Sequence, residues 1–355
     1  MMRLNWYAVT VLLLITLTAC TLTIQPPTPA PVTDERPPQG DIFALNQRLG
    51  RGINFGNALE APRYEGEWGL RLREEYFQAV AEAGFDSVRV PIRWSAHARK
   101  SEPYTIDPRF FERIDWVVEQ ALAHDLLVIL DLHHMTEMMA GPDLYKPFFL
   151  ALWQQIAERY QAAPPEVVFE LLNEPHDRLT AEKWNEILSE AIALVRQTNP
   201  TRAIIVGPTQ WNSIHLLPTL QLPADDRNLI VTFHYYDPFQ FTHQGADWVA
   251  GSAAWLGTTW TGSEAQQREI TTAFDRAVAW AEREGRPLFL GEFGAYSRAD
   301  LDSRARWTAF VARTAEARSI SWAYWEFGSG FGAYELARAG WNEALFEALM
   351  PAEPE

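Results

Sequence analysis

Apolar residues collect along the chain in eight short runs: GINFGNA (52–58), SVRVPI (87–92), LVILDLH (127–133), VVFELLNE (167–174), AIIVGP (203–208), LIVTFHYY (229–236), LFLGEFG (288–294) and ISWAYWEF (320–327). Most are rich in Val, Ile, Leu or Phe and show no clean polar alternation, the pattern of parallel strands covered on both faces. Amphipathic stretches separate them. LREEYFQAVAEAG sets Tyr76, Phe77, Val80 and Ala83 at helical spacing and stops at Gly84. Asp107 and Pro108 open a second helix as N-cap and first-turn residue. Thr180 caps a third without a capping box, a fourth ends at Gly285, and DLDSRARWTAFVARTAEAR supplies another before the last run. Eight strand-then-helix units predict an α/β fold, a (β/α)8 TIM barrel forming one domain over residues 41–351. A doubly wound open sheet would carry a Gly-rich phosphate loop after its first strand, and NFGNALEAP is not one.

A barrel of this kind collects its chemistry at the C-terminal ends of the strands. Asn57, Arg89, His133, His134, Asn173, Glu174, His234, Tyr236, Glu292, Trp325 and Glu326 all fall there, too many for strand capping alone. Glu174 closes the fourth run and Glu292 the seventh, so the two carboxylates face each other across the mouth. Opposed carboxylates are what glycoside hydrolysis needs, one protonated and one ionised, and their separation decides retention or inversion. Either glutamate alone reads equally well as a strand-end salt bridge; the pair in this context does not. Arg89 is placed to hold one carboxylate ionised, and Tyr236 to donate to the same group. Pro175 biases Glu174 toward extended backbone, and Gly291 leaves space beside Glu292.

Thirty basic against 46 acidic residues give a net charge of −16, which disfavours a nucleic acid as partner and suits a neutral, soluble substrate. Fifteen tryptophans are more than a core requires, and indole faces make platforms for sugar rings. The one cysteine, Cys20, forms no intramolecular disulfide. It follows a short basic start with Arg3 and the apolar stretch VTVLLLITLTA, the layout of a secretion signal. LTAC resembles the bacterial lipobox, which implies cleavage before Cys20 and a lipid on its thiol. Residues 1–20 are therefore expected to be a lipoprotein signal, residues 21–40 a proline-rich tether, and the protein a membrane-anchored, extracytoplasmic monomer.

The motifs NEP on the fourth run, GEFG on the seventh, RVPIRW, DLHH, HYY and WAYWEF, all in order between residues 41 and 350, resemble the family 5 glycoside hydrolases, whose catalytic glutamates lie on strands four and seven. GRGINFGNALEAP, FTHQGADWV and FLGEFGAY are most similar to bacterial endoglucanases of that family that also cut mannans. The resemblance implies retention, with Glu174 as acid/base, Glu292 as nucleophile, and Arg89 and Tyr236 holding the nucleophile. It implies Asn173 on the 2-hydroxyl of the cleaved sugar, His133 on the same sugar and His234 beside the acid/base. Trp325 would floor that subsite, with a cis peptide bond to Glu326, which is also expected to bind substrate. Asn57, Glu60 and His134 would line the non-reducing side.

Asp131, His133, His234 and the two glutamates also make a conceivable metal-ligand set. Adjacent histidines on a strand point to opposite faces, however, and the His-x-His pair of metal-dependent barrel hydrolases is missing, so neither a metal nor another cofactor is expected. Glu170 shares the face of Glu174 and is expected in a polar network inside the barrel. The segment 237–263 is long for a loop and so a functional candidate. Trp248, with His243 nearby, is its best sugar platform, and Trp211 is another; Trp255 and Trp260 are expected to form the loop's own core. Trp116, Trp153, Trp184, Trp280 and Trp307 are expected to pack. The resulting expectation is a retaining endo-β-1,4-glucanase acting on β-glucan. Its rivals are an endo-β-mannanase or dual-specificity enzyme and, in another class, a noncatalytic polysaccharide-binding lipoprotein that need not keep both glutamates.

Overall fold

A computed structural model describes residues 42–352; the expected signal, lipobox cysteine and tether lie outside the described residues. Eight parallel strands close into a barrel in sequence order: β1 (Arg51–Asn54), β2 (Ser87–Ile92), β3 (Leu127–Leu132), β4 (Val167–Glu170), β5 (Ile204–Val206), β6 (Leu229–His234), β7 (Leu288–Glu292) and β8 (Ser321–Tyr324). Each apolar run overlaps one strand, β1 starting one residue ahead of its run, and β1 pairs with β8 to complete the ring. Except at β2, whose bounds coincide with its run, the strands stop earlier than the runs, which continue into the turns at the barrel mouth.

Local chemistry sets the helix boundaries. Asp107 accepts from Arg109 N to cap the helix Pro108–Ala123, Thr180 accepts from Lys183 N to cap Ala181–Arg196, and Gly285 takes the left-handed conformation that ends Glu264–Glu284. Among the helices of seven or more residues, three were not legible in the sequence: Ile42–Leu49, Pro142–Arg159 and Glu343–Leu349. The second carries Pro147 in its interior, which reads as a breaker. The first crosses the barrel base, where Asn46 Nδ2 donates to the Leu288 carbonyl at 2.9 Å.

Side chains alternate between the barrel interior and the helix layer with the period of two that strands impose. At the base the inward positions are apolar: Leu127, Ile129, Val168, Ile205, Ile230 and Phe289 form one cluster with Ile42. One step further along the same faces, the inward residues are Arg89, Asp131 and Glu170, all fully buried. The interior thus switches from hydrocarbon to charge toward the C-terminal mouth. Facing β6, β7 shifts register so that His234 pairs with Glu292 while Phe233 pairs with Leu290. The residue left over is Gly291, and this irregularity re-aims Glu292 into the mouth. A Cβ on Gly291 would stand 2.7 Å from Thr232 Oγ1 and 3.0 Å from His234 Nε2, so the space the glycine leaves is filled by β6.

Candidate active site

Arg89 organises the mouth. Its guanidinium donates to both oxygens of Glu170 (2.7 and 2.9 Å), to Asn54 Oδ1 (2.9 Å), to Asn173 Oδ1 (2.8 Å) and to Glu292 Oε1 (2.9 Å), with Asp131 Oδ2 at 3.1 Å. Burial alone would favour losing the proton, but the carboxylates of Asp131, Glu170 and Glu292 hold Arg89 well above its ordinary range. Glu170 sits in the polar network expected for it. Tyr236 donates its phenol to the other Glu292 oxygen at 2.9 Å, so both oxygens of Glu292 are held from opposite sides.

Glu174 reaches the same space by a different route from the one expected. β4 ends at Glu170. Leu171 N still donates to Ile205 O and Asn173 N to Leu132 O, and then the chain turns. Glu174 has φ +47 and Asp177 φ +54, so the extended backbone expected from Pro175 is not adopted. Left-handed backbone costs a non-glycine residue about 1–2 kcal/mol. The turn is held by the Asn173 tie to β3 and by His176 Nδ1, 2.6 Å from the Glu174 carbonyl. Its effect is to bring Glu174 Oε1 to 2.7 Å from His234 Nδ1, which also lies 3.5 Å from Glu292 Oε2.

One oxygen of Glu174, one of Glu292 and a His234 nitrogen lie within 4.8 Å of one another. Carboxyls with oxygens this close belong with the close-set pairs of about 5–5.5 Å that act as nucleophile and acid/base, and not with the roughly 6.5–9.5 Å pairs that admit a water between them. Burial pushes each glutamate up to about 7. At that spacing they titrate as one system, with one proton held between them near neutrality. The hydrogen bonds decide who keeps it: Glu292 accepts from a guanidinium and a phenol, which favour the anion, whereas the side-chain hydrogen-bond partner of the Glu174 carboxyl among the described residues is neutral His234, pulled down to about 4 by burial, and Arg89 acts on it only through space. The three groups also have the spacing of a cation site. The guanidinium and phenol already occupying both oxygens of Glu292 make it a poor ligand set, so the arrangement fits proton and glycosyl transfer better than metal binding.

Around this pair the remaining candidates divide. Trp325 is partly exposed, lies parallel to His133 (5.8 Å, 5°), and is joined to Glu326 by a cis peptide bond, as expected. His133 is buried; Nδ1 bonds Asp131 and Nε2 lies 3.2 Å from Asn173 Nδ2. Both ring nitrogens thus have protein partners, and His133 positions Asn173. His134 is exposed, with φ +51 and its ring 4.4 Å from that of His133. The expected strand alternation fails because β3 ends at Leu132. Asn57, half-buried, receives the Glu60 carboxylate on its backbone N–H, and Ala58 N donates to Glu60 at 2.9 Å. Glu60 itself is buried and raised by that burial to about 8, so it holds the Asn57 turn. Glu326 is likewise fully buried. Its carboxylate accepts from the backbone N–H groups of Gly328, Ser329 and Phe331, so it shapes that loop instead of meeting a substrate.

Trp211 (52% exposed) stacks on His176 at 5.0 Å and 15°. Trp248 (58% exposed) stands edge-on to Tyr296. Both present open faces at the barrel mouth. His243 is buried, stacked on Phe239 and edge-on to Tyr236; it buttresses Tyr236. Trp255 is half-buried against Phe239, but Trp260 is buried against Phe310 of the helix Leu301–Glu316, so it belongs to the main core and not to the loop's own. Trp153, Trp184, Trp280 and Trp307 are buried as expected, and Trp116 is half-buried under Arg113. Asn54, His176 and Asn212 were missed. Asn54 lies inside GRGINFGNALEAP and His176 directly follows NEP, but the motifs do not show what these residues touch, and each of the three acts through a contact between segments distant in sequence or a tight local turn.

The family model for the cellulases, glycosyl hydrolase family 5, matches residues 53–330. Endoglucanase H of Acetivibrio thermocellus is 36% identical over 302 residues, covering 85% of this chain and 32% of that protein. The chain thus spans about a third of that relative. Cellodextrinase A of Ruminococcus flavefaciens is 30% identical, covering 76% of this chain and 83% of that protein. Among solved structures, endoglucanase Cel5A of Thermotoga maritima superposes with a TM-score of 0.85 at 51% identity, covering 87% of this chain and 99% of that one. The same enzyme solved with mannotriose gives 0.85 at 50%, covering 87% of this chain and 100% of that one.

Proposed function

Because the chain belongs to glycosyl hydrolase family 5, the cellulase family, we propose that it is a retaining endo-β-1,4-glucanase in which Glu292 is the nucleophile and Glu174 the acid/base. The observation that carries this reading is the close spacing of Glu174 and Glu292 with unequal partners, a guanidinium and a phenol on one, a neutral imidazole on the other. A glucosyl ring seated over Trp325 presents its anomeric carbon to Glu292. Glu174 protonates the departing oxygen as the Glu292–carbon bond forms, and the glycosyl-enzyme is then hydrolysed by a water that Glu174 deprotonates. Asn173, locked between Arg89 and His133, meets the 2-hydroxyl, a contact that strengthens as the ring flattens. The leaving chain departs on the Glu174 side, toward Trp211 and His176, and the retained chain extends past His133 and His134. Platforms on either side of the cleavage point suit internal bonds of a polymer.

Glu292→Ala is expected to abolish turnover on an aryl cellobioside, with added azide restoring it and giving the α-glycosyl azide. A β product, or no rescue with a folded protein, refutes the assignment. Because a relative half identical in sequence is solved with mannotriose, mannan is the second reading. Side-by-side digestion of carboxymethyl-cellulose, barley glucan, glucomannan and galactomannan separates the two: release from galactomannan equal to that from barley glucan supports dual specificity.

We also propose that the mature enzyme is a monomer tethered outside the cytoplasm by a lipid on Cys20, supported by the lipobox-like LTAC and the proline-rich residues that follow. Cys20→Ser is expected to move the protein from the membrane to the soluble fraction; persistence in the membrane refutes the anchor.

A further inference from the structure

Between Thr209 and Ser213 the chain makes a left-handed turn of three non-glycine residues: Gln210 (φ +54), Trp211 (φ +59) and Asn212 (φ +52). Such a run is unusual, since residues other than glycine and asparagine rarely adopt this backbone and seldom do so in succession. Its outer product is the exposed Trp211. Its inner product is Asn212, fully buried, with its amide Nδ2 at 3.3 Å from His234 Nε2. Gly207 makes the room, because a Cβ there would lie 2.3 Å from Asn212 Oδ1. Ser213 bridges to His234 in parallel, which fixes the turn against β6.

His234 faces different partners on its two sides. Nδ1 looks at two carboxylate oxygens, Glu174 Oε1 at 2.7 Å and Glu292 Oε2 at 3.5 Å. Arg89, Glu170 and His133 complete the charged and titratable surroundings. Two acceptors in front of Nδ1 call for a hydrogen there. The buried ring is neutral and carries one hydrogen, so Nε2 must accept, and the Asn212 amide is the donor within reach. We infer that Asn212 is a positioning residue: by donating to His234 Nε2 it fixes the Nδ1–H tautomer, so that Glu174 Oε1 is always an acceptor and the acid proton sits on Oε2, facing the leaving group. With the other tautomer, Nδ1 would accept the Glu174 proton and draw it away from the departing oxygen. Asn212 Oδ1 is buried and has no hydrogen-bond partner among the described residues, which leaves the Nδ2 end as the amide's contact with the ring.

This inference rests on Glu174 being the acid, and its test separates the two. Asn212→Asp keeps the shape and, at a pH high enough to ionise it, presents only acceptors to Nε2. Asn212→Gly suits the left-handed backbone and removes the donor. In histidine-15N-labelled protein, wild-type His234 is expected as the Nδ1–H tautomer, and Asn212→Asp is expected to shift it to Nε2–H. On cellotetraose, Asn212→Asp is expected to lose tenfold or more in kcat/KM. On dinitrophenyl cellobioside, which leaves without a proton, it should lose less than twofold. Should Asn212→Asp not fold, Asn212→Gly carries the same comparison with a smaller difference. A wild-type Nε2–H tautomer, an unchanged tautomer in the variants, or equal losses on the two substrates overturns the inference. A wild type inactive on both substrates refutes the proposed function, while the nitrogen spectra still decide the tautomer.

Discussion

Replacing Arg89 by methionine roughly keeps the length of the side chain and removes the guanidinium that Asp131, Glu170 and Glu292 share. Five hydrogen bonds of 2.7–2.9 Å vanish, and Glu170, with no exposure, and Glu292 and Asp131 lose their shared counter-charge. Breaking a buried ion pair from one side costs about 3–5 kcal/mol. Taking about 2.1 cal/mol/K per residue for the unfolding entropy of the described chain, that lowers Tm by roughly 5–8 °C. The cost has a pH signature. Without the guanidinium the folded carboxyls take up protons that the unfolded chain releases, so stability falls as pH rises. The deficit should therefore be larger at pH 7.5 than at pH 5.5, by about 1.4 kcal/mol for each full proton and pH unit involved. Activity should fall by roughly 10²–10³-fold, as for loss of one preorganised donor to a reacting oxygen, because Glu292 is no longer held ionised. Melting curves of both proteins at the two pH values, with initial rates on an aryl cellobioside, test this. A Tm within 2 °C of wild type, or a deficit that grows toward acid, refutes the reasoning.

Glu174→Gln should slow cellooligosaccharides far more than dinitrophenyl cellobioside, because only the former need a proton; equal losses in the two kcat/KM values would remove the acid role. Trp248→Ala should raise KM for oligosaccharides several-fold at an unfolding cost below about 1 kcal/mol, given its exposure; a large drop in Tm would place Trp248 in the core instead. The wild type should lose stability between about pH 6.5 and 8. Burial raises Glu60 to about 8 and Asp131, Glu174, Glu292 and Glu326 to about 7, so the folded state keeps protons that the unfolded chain has lost. Below about 6.5 the neutral, buried His133, His234 and His243 oppose this trend, so the decline is expected to be shallower there than on the alkaline side. A Tm that rises from pH 6.5 to 8 contradicts it.

The order of apolar runs was enough to place the eight strands, because a parallel strand buried on both faces must be apolar along its length, and the polar residues that break the pattern mark where it meets the mouth. Glu174, Glu292, Arg89 and Tyr236 were legible for that reason. So were the caps at Asp107 and Thr180, which act on N–H groups two or three residues away. What the sequence could not specify was direction. Glu174 turns through a left-handed residue despite Pro175, because the tie to Leu132 on β3 and the His176 contact with its own carbonyl outweigh the local preference. His134 leaves the strand alternation because β3 has already ended. Glu60 and Glu326 have the composition of ligands and the burial of scaffolding. Asn212 comes within reach of His234 only because a strained turn after β5 folds against β6. Local sequence fixes backbone periodicity and end chemistry; the partner of a buried polar group is set by closure of the barrel, which brings together residues far apart in the chain and leaves each only the hydrogen bonds its neighbours can offer.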